Sequence, residues 1–212
     1  MNRRGEKVAG IVLAAGESTR MGKIKQLLPI GDTTLIERVL GEVLISELDR
    51  VVLVLGHRAR EIKESIASIL PQPRLNIIEN HQFRQGISSS IVAGISEVEK
   101  SHDHVMIFLA DMPCIDGDLI NLLLRRYLAS GMQIGAIKGK ERPGHPVIFS
   151  RELYQELQAL RGDVGARSLL RKYSDRVCLV EPEKCYDSID IDTPEDYAGF
   201  QRSLQNGITL AS

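Results

Sequence analysis

The stretch GIVLAAGESTRMGKIKQLLPIG, residues 10–31, carries the fold signal from which the rest of the chain can be interpreted. The apolar run at 8–15 predicts a buried first strand; a secretory signal fits less well, because the run is short and a loop of charges follows it. That loop contains glycines together with Ser18, Thr19, Arg20, Lys23 and Lys25. A strand that ends in a cationic glycine loop indicates an anion-binding site.

Outward from this stretch, strand-like and helix-like segments alternate. Strands are predicted at 50–55, 74–78 and 104–110, and helices at 34–48, 59–70, 88–100 and 118–130. This order favours a mainly parallel sheet with helices on both faces. In such sheets ligands bind at the carboxyl ends of the strands. We therefore expect the loop after the first strand and Asp111, after the strand at 104–110, to share one edge.

The last third of the chain is less regular. It predicts strands at 133–137, 145–149, 176–180 and 188–191, helices at 151–160 and 164–173, and a final helix from Pro194. The turn-rich GKERPG segment between two of these strands indicates some antiparallel pairing. We expect a three-layer α/β, Rossmann-like fold with a mixed, mostly parallel sheet, and one domain over residues 1–212.

Composition narrows the function classes. The chain has 212 residues, 43% of them hydrophobic and 26% charged, with a net charge of -1. Without a basic stripe it is not expected to bind nucleic acid, and without a long apolar run it is not expected to enter a membrane. Cys114, Cys178 and Cys185 lack CxxC spacing, which argues against a zinc site or a disulfide framework and favours a cytoplasmic protein.

The opening loop is neither a P-loop nor a dinucleotide fingerprint. One residue too many separates Gly16 from Gly22 for a P-loop, Ile24 follows Lys23 where a P-loop has Ser or Thr, and GxGxxG is absent. It shares their chemistry, because glycines bring backbone N–H groups to a ligand and arginine and lysine bind phosphate.

The density of such groups favours a triphosphate. Gly16, Ser18, Arg20, Gly22 and Lys25 lie within ten residues. The alternative, a solvated turn, is preferred only for Lys23.

Two aspartates are candidate magnesium ligands. Asp111 follows an apolar strand, where a carboxylate facing a phosphate loop suits Mg²⁺. Helix capping is the alternative, but Asp116 and Asp118 are better placed for it. In DIDTPED, strand alternation would place Asp190 and Asp192 on one face, and Asp192 is the candidate second ligand. Capping of the last helix remains its alternative.

Six segments together resemble the molybdenum cofactor cytidylyltransferases, within the MobA-like nucleotidyltransferase superfamily. They are LAAGESTRMGKIKQLLP, QGISSSI, ADMP, RPGHPVIFS, GDVGARSLL and DIDTPED. The match covers nearly the whole chain. The resemblance implies a nucleotidyltransferase fold whose first half binds nucleotide and whose second half forms most of the acceptor pocket.

The resemblance also implies roles for residues. Catalytic roles fall to Arg20, Lys25 and Asp111, and Mg²⁺ to Asp111 with Asp192. The implied nucleotide contacts are Leu13, Ala14, Ala15, Gly16, Ser18, Arg20, Lys25, Asn80, Gly86, Ser88, Ser90 and Asp111. His145 and Arg167 fall in acceptor-side segments; a buried, satisfied histidine and a solvent-facing helical arginine are the alternatives.

The implied reaction joins CTP to the phosphate of molybdopterin or molybdenum cofactor and releases pyrophosphate. A transient complex with a molybdenum hydroxylase or its maturation factor is implied as well. LAAG is typical of the CTP-using relatives, and the Ala15 methyl would disfavour a purine by only about 1–3 kcal/mol. The alternatives are a GTP-dependent guanylyltransferase, a sugar- or polyol-phosphate nucleotidyltransferase, and a non-catalytic cofactor carrier.

Overall fold

A seven-stranded mixed sheet forms the centre of the molecule. The computed structural model describes residues 5–139, 142–182 and 189–205. The strand order is β5-β4-β1-β6-β8-β7-β9, and a separate two-stranded hairpin pairs β2 with β3. The strands are β1 Val8–Ala14, β2 Pro29–Ile30, β3 Thr33–Thr34, β4 Arg50–Leu55, β5 Leu75–Glu79, β6 His104–Leu109, β7 Ile134–Ile137, β8 Gly144–Ser150 and β9 Val177–Val180.

Helices cover both faces of the sheet, as the three-layer prediction requires. They are α1 Leu35–Ile45, α2 Ala59–Ser65, α3 Ile87–Ser96, α4 Gly117–Ser130, α5 Tyr154–Gln158, α6 Arg167–Lys172 and α7 Pro194–Gln205. The apolar side chains of α1, α2, α4 and α7 belong to one core, and those of α3, α5 and α6 to a second core on the opposite face.

Strand β1 shows why the sequence 8–15 is apolar without interruption. It pairs in parallel with β4 and β6, so it lies at the centre of the parallel part of the sheet. Val8 and Val12 pack in the first core, and Ala9 and Ile11 in the second. A strand covered on both faces needs apolar side chains at every position, whereas a strand with one exposed face alternates apolar and polar side chains.

The predicted mixed sheet is confirmed. Strand β8 runs antiparallel to both β6 and β7, and the pairs β5–β4, β4–β1, β1–β6 and β7–β9 are parallel. Consequently the ends of β1, β4, β5, β6, β7 and β9 and the start of β8 lie at one edge. The site residues lie at or beyond this edge.

Two predictions need correction. The predicted strand at 188–191 is wrong for residues 189–191, which form no strand, and Ser188 lies outside the described residues. The predicted helices at 151–160 and 164–173 are too long, because the α-helical parts are Tyr154–Gln158 and Arg167–Lys172.

The hairpin of β2 and β3, at Pro29–Ile30 and Thr33–Thr34, was not predicted. Cys114 and Cys178 are thiols, and Cys185 lies outside the described residues. None of the helices within those residues combines the length and the hydrophobicity that crossing a bilayer requires.

Candidate functional site

The opening loop is folded around the hydroxyl of Ser18. This oxygen accepts a hydrogen bond from the Lys25 backbone N–H (3.2 Å) and donates one to Gln26 Oε1 (3.3 Å). Gln26 is only 2% exposed, and its Nε2 donates to the carbonyl of Ala14 at the end of β1 (3.2 Å). Both ends of the loop are thereby tied to β1, and the Lys25 backbone is held in place. The Ser18 hydroxyl, predicted to bind nucleotide, is engaged within the loop.

Gln26 was missed by the sequence prediction, and its role is testable. Leucine at this position keeps the approximate volume but leaves the Ala14 carbonyl without this donor and the Ser18 hydroxyl without its acceptor. We expect Gln26→Leu to lower the free energy of unfolding by about 1–3 kcal/mol in denaturant titrations. The exposed Gln155→Leu is the control and should change stability by less than about 0.5 kcal/mol. Equal effects of the two variants would contradict the anchoring role of Gln26.

Four charged side chains meet at the carboxyl edge. The Lys25 ammonium donates hydrogen bonds to Asp111 Oδ2 and, at 2.9 Å, to Asp192 Oδ1. Arg20 Nη2 donates to the other oxygen of Asp192 at 3.0 Å. Residues from three distant parts of the chain, which the sequence predicted to act together, therefore lie in one cluster.

Backbone contacts bring the two aspartates together and leave their carboxylates available. Ile191 N–H donates to the Asp111 carbonyl at 3.0 Å, which ties the segment before α7 to the end of β6. Capping is done by other residues: Asp116 caps α4 by accepting from Leu119 N–H, and Thr193 forms a reciprocal pair with Asp196 at the start of α7. The helix-capping alternatives for Asp111 and Asp192 are thus excluded.

The electrostatics of the cluster are mutually stabilising. Burial alone would lower the pKa of Lys25, but the charges and hydrogen bonds of Asp111 and Asp192 outweigh it and raise that pKa. Burial alone would raise the pKa of Asp192, but Lys25 and Arg20 lower it. The lysine is therefore an ammonium and Asp192 a carboxylate at neutral pH.

Asp190 is a third carboxyl group beside this cluster. Its pKa is raised by burial and by the negative charge of Asp111, and Oδ1 is buried without a hydrogen-bond partner among the described residues. Although Asp190 and Asp192 do not lie on a strand, both face the site, because Ile191 between them is buried in the core.

The residues present fit a divalent metal that shares its coordination with phosphate. Asp111 Oδ1 is buried and has no hydrogen-bond partner among residues 5–139, 142–182 and 189–205, while Oδ2 bonds Lys25. Within the same residues, no group of three or more His, Cys, Asp or Glu side chains is arranged to hold a metal by itself. Mg²⁺ commonly uses one or two carboxylates together with substrate phosphates, so two carboxylates are enough for an ion that also binds phosphate.

Several of the predicted nucleotide contacts are occupied in a second network. The Asn80 amide donates to the hydroxyls of Ser89 and Ser90 at 2.9 and 3.0 Å. Ser88 is buried and its N–H donates to the Gly162 carbonyl at 3.2 Å. Leu13 and Ala14 belong to β1, and Gly16 is exposed at the start of the loop. The hydrogen bonds of Asn80 and Ser88 hold the segment after β5 in place; nucleotide contact by these residues remains a prediction.

Gly86 lets the predicted nucleotide segment touch the GDVGAR segment. It has φ +96, and a Cβ there would lie 2.3 Å from the backbone carbonyl of Gly162. We expect Gly86→Ala to cost at least about 1–3 kcal/mol in backbone strain alone and to displace the Gly162 loop. Denaturant unfolding measures the cost. Gly41→Ala, inside α1 with open space around it, is the control and should be neutral or stabilising; a Gly86→Ala protein as stable as that control would refute the close approach.

His145 and Arg167 lie close together on the side of β8 and α6. His145 is 5% exposed and its Nδ1 lies 3.4 Å from the carbonyl of Ile107. Burial, together with the positive charge of Arg167, lowers its pKa to about 3, so the imidazole is neutral. The positive charge of Arg167 also partly offsets the rise in the pKa of Asp190, so this charge acts on the carboxylate cluster and not only on solvent. Acceptor binding by this pair remains a prediction.

The methyl group of Ala15 is buried next to the residue that follows β4. Ala15 is 5% exposed, and its Cβ would lie 2.8 Å from a Cβ added to Gly56. The methyl therefore packs towards the end of β4; a role of Ala15 in selecting the base remains a prediction.

Comparison with known proteins identifies the family that the chain matches. The model of the MobA-like NTP transferase domain matches residues 10–177. The chain is 32% identical over 192 residues to a molybdenum cofactor cytidylyltransferase from Escherichia coli (88% of this chain, 92% of the relative). It is 29% identical to a nicotine blue oxidoreductase from Paenarthrobacter nicotinovorans (89% and 93%) and 27% identical to a probable molybdenum cofactor guanylyltransferase from Bacillus mycoides (94% and 98%).

A solved structure shares the fold of this chain. Rv0371c from Mycobacterium tuberculosis superposes with a TM-score of 0.79 at 26% identity, covering 93% of this chain and 98% of that one. The same mycobacterial protein has also been solved in complex with manganese, with a TM-score of 0.77.

Proposed function

Because the chain belongs to the MobA-like NTP transferase family, we propose that it transfers the cytidylyl group of CTP to the terminal phosphate of molybdopterin. The observation that carries the proposal is the cluster of Arg20, Lys25, Asp111 and Asp192 at the carboxyl edge of the sheet. Cations from a glycine loop face carboxylates suited to a divalent ion, which is the arrangement that a reaction between two anions requires.

In the proposed reaction, an oxygen of the acceptor phosphate attacks the α-phosphorus of CTP. The bond from that phosphorus to the bridging oxygen breaks, and pyrophosphate leaves. The acceptor is a phosphate monoester with a second pKa of about 6, so it is mostly dianionic at neutral pH and no general base is needed. The buried, neutral His145 is consistent with this.

The chain's own residues lower the repulsion between the reactants. Arg20 and Lys25 would bind phosphate oxygens of the triphosphate and stabilise the charge that develops on departing pyrophosphate. Asp111 and Asp192 would hold the divalent ion, which when bound neutralises phosphate charge. Arg167, next to His145, would bind the acceptor phosphate.

The choice of CTP and of molybdopterin is supported mainly by the Escherichia coli relative. Similar identity to guanylyltransferases makes GTP the first alternative, and a sugar or polyol phosphate is an alternative acceptor. A cofactor carrier is disfavoured because it has no use for the ion-paired Lys25 and Asp111.

Pyrophosphate release, measured with each nucleoside triphosphate and each acceptor in the presence of Mg²⁺, tests the proposal. CTP with molybdopterin should give the highest kcat/KM. Faster release with GTP, or with another acceptor, would replace the named substrates. Tight binding of the cytidine dinucleotide product without any pyrophosphate release would favour a carrier. An oxidoreductase, as the name of the Paenarthrobacter relative describes, would leave CTP intact.

A further inference from the structure

The Lys25 ammonium occupies the position between the two candidate metal ligands. It bonds Asp111 Oδ2 and lies 2.9 Å from Asp192 Oδ1. The Lys25 side chain is 17% exposed and that of Asp111 12%, so the contact is largely shielded from water. The two partners lie 86 and 167 residues away along the chain. This lysine is therefore the internal counterion of the carboxylate pair.

A divalent ion and this ammonium compete for the same oxygens. With Lys25 in place, the cluster of two carboxylates, Lys25 and Arg20 carries no net charge; without the ammonium it carries one negative charge. Affinity of oxygen sites for hard cations rises with the number of ligand charges. Two cations at neighbouring positions would also repel each other strongly in a partly buried site. The metal can be held well only after Lys25 has another anionic partner.

We propose that Lys25 is a resident counterion that keeps the divalent metal from binding tightly until a nucleoside triphosphate enters and draws the ammonium away. The inference rests on the proposed function for the identity of the triphosphate site, but not on which base or acceptor is used. Lysine suits this exchange, because its ammonium is a compact charge on a flexible stem that can move from a carboxylate to a phosphate.

Two neighbouring features support such an exchange. Arg20, whose side chain is 70% exposed, holds the second oxygen of Asp192, so this carboxylate keeps a cationic partner when Lys25 leaves. Asp111 Oδ1 is buried and has no hydrogen-bond partner within the described residues, so a metal bound there would displace no hydrogen bond. Triphosphate and metal then enter together, and each should raise the affinity of the other by the same factor.

The test is the affinity for Mn²⁺ alone, followed by electron paramagnetic resonance of the free ion, in protein without nucleotide. Lys25→Met keeps the length of the side chain and removes its charge. We expect it to bind Mn²⁺ at least about tenfold more tightly than the wild type. We also expect CTP, added without acceptor, to raise the Mn²⁺ affinity of the wild type by a similar factor, after subtraction of the Mn²⁺ that the same CTP binds without protein. Lys25→Gln gives a second neutral variant with a polar side chain, should Lys25→Met fail to fold.

Two controls separate the local effect from the loss of one positive charge. Lys23→Met removes an exposed lysine from the same loop and should leave Mn²⁺ affinity at the wild-type value. Adding Asp111→Asn to Lys25→Met should abolish the gain, because one of the two carboxylates is lost.

The inference is overturned if nucleotide-free wild-type protein binds Mn²⁺ as tightly as Lys25→Met, or if neither binds it. Wild-type pyrophosphate release is measured in parallel. If the wild type releases pyrophosphate but binds Mn²⁺ as tightly as Lys25→Met does, the inference about Lys25 is refuted and the proposed function is not. No turnover with any triphosphate would refute the proposed function, whatever the Mn²⁺ titration gives.

Discussion

Replacing Asp111 by asparagine is expected to lower kcat for pyrophosphate release by about 10²-fold or more while the protein remains folded. The substitution preserves the shape of a side chain that is 12% exposed, and Lys25 keeps its bond to Asp192. What is lost is one negative charge beside the proposed triphosphate site, and with it one of the two proposed metal ligands. Initial rates at saturating CTP and Mg²⁺ measure the effect, and the thermal midpoint verifies folding.

Asp175→Asn is a matched control for this variant. Asp175 precedes β9, so it lies at the amino edge of the sheet, opposite the site, and its side chain is 80% exposed. We expect its turnover to equal that of the wild type. A folded Asp111→Asn protein that releases pyrophosphate at the wild-type rate would remove Asp111 from the mechanism, and with it the assignment of the carboxyl edge as the reaction centre.

The carboxyl edge was predictable because each of its parts has a local signal. An apolar run that is buried on both faces, such as the strand Arg50–Leu55, has no alternation, and its ends are marked by charged or glycine residues. Parallel order then places the ends of neighbouring strands together. For that reason the opening loop and Asp111 could be assigned to one edge without any knowledge of their contact.

The contacts inside the site were not predictable from local sequence. No spacing signals that the Ile191 N–H bonds the Asp111 carbonyl, or that Gln26 anchors the loop to Ala14. The alternation in SIDID indicates a strand, yet residues 189–191 form none. In the structure the alternation has a different cause: Ile191 packs in the core while Asp190 and Asp192 face the charged cluster.

The second large effect on kcat is expected from replacing Lys25, but not Lys23, in the opening loop. Lys25→Ala should lower kcat by about 10²-fold, because it removes a preorganised charge at the departing pyrophosphate, whereas the exposed Lys23→Ala should stay within about threefold of the wild type. Single-turnover release at saturating CTP separates chemistry from binding.

The pair of lysine variants also tests how the loop is folded. The ring of hydrogen bonds through Ser18 and Gln26 fixes the Lys25 backbone, and its ammonium reaches Asp111 and Asp192, while Lys23 is exposed. If Lys23→Ala were the inactive variant and Lys25→Ala the active one, the triphosphate would have to lie on the opposite side of the loop. Arg20 and Lys25 would then serve only to neutralise the carboxylates.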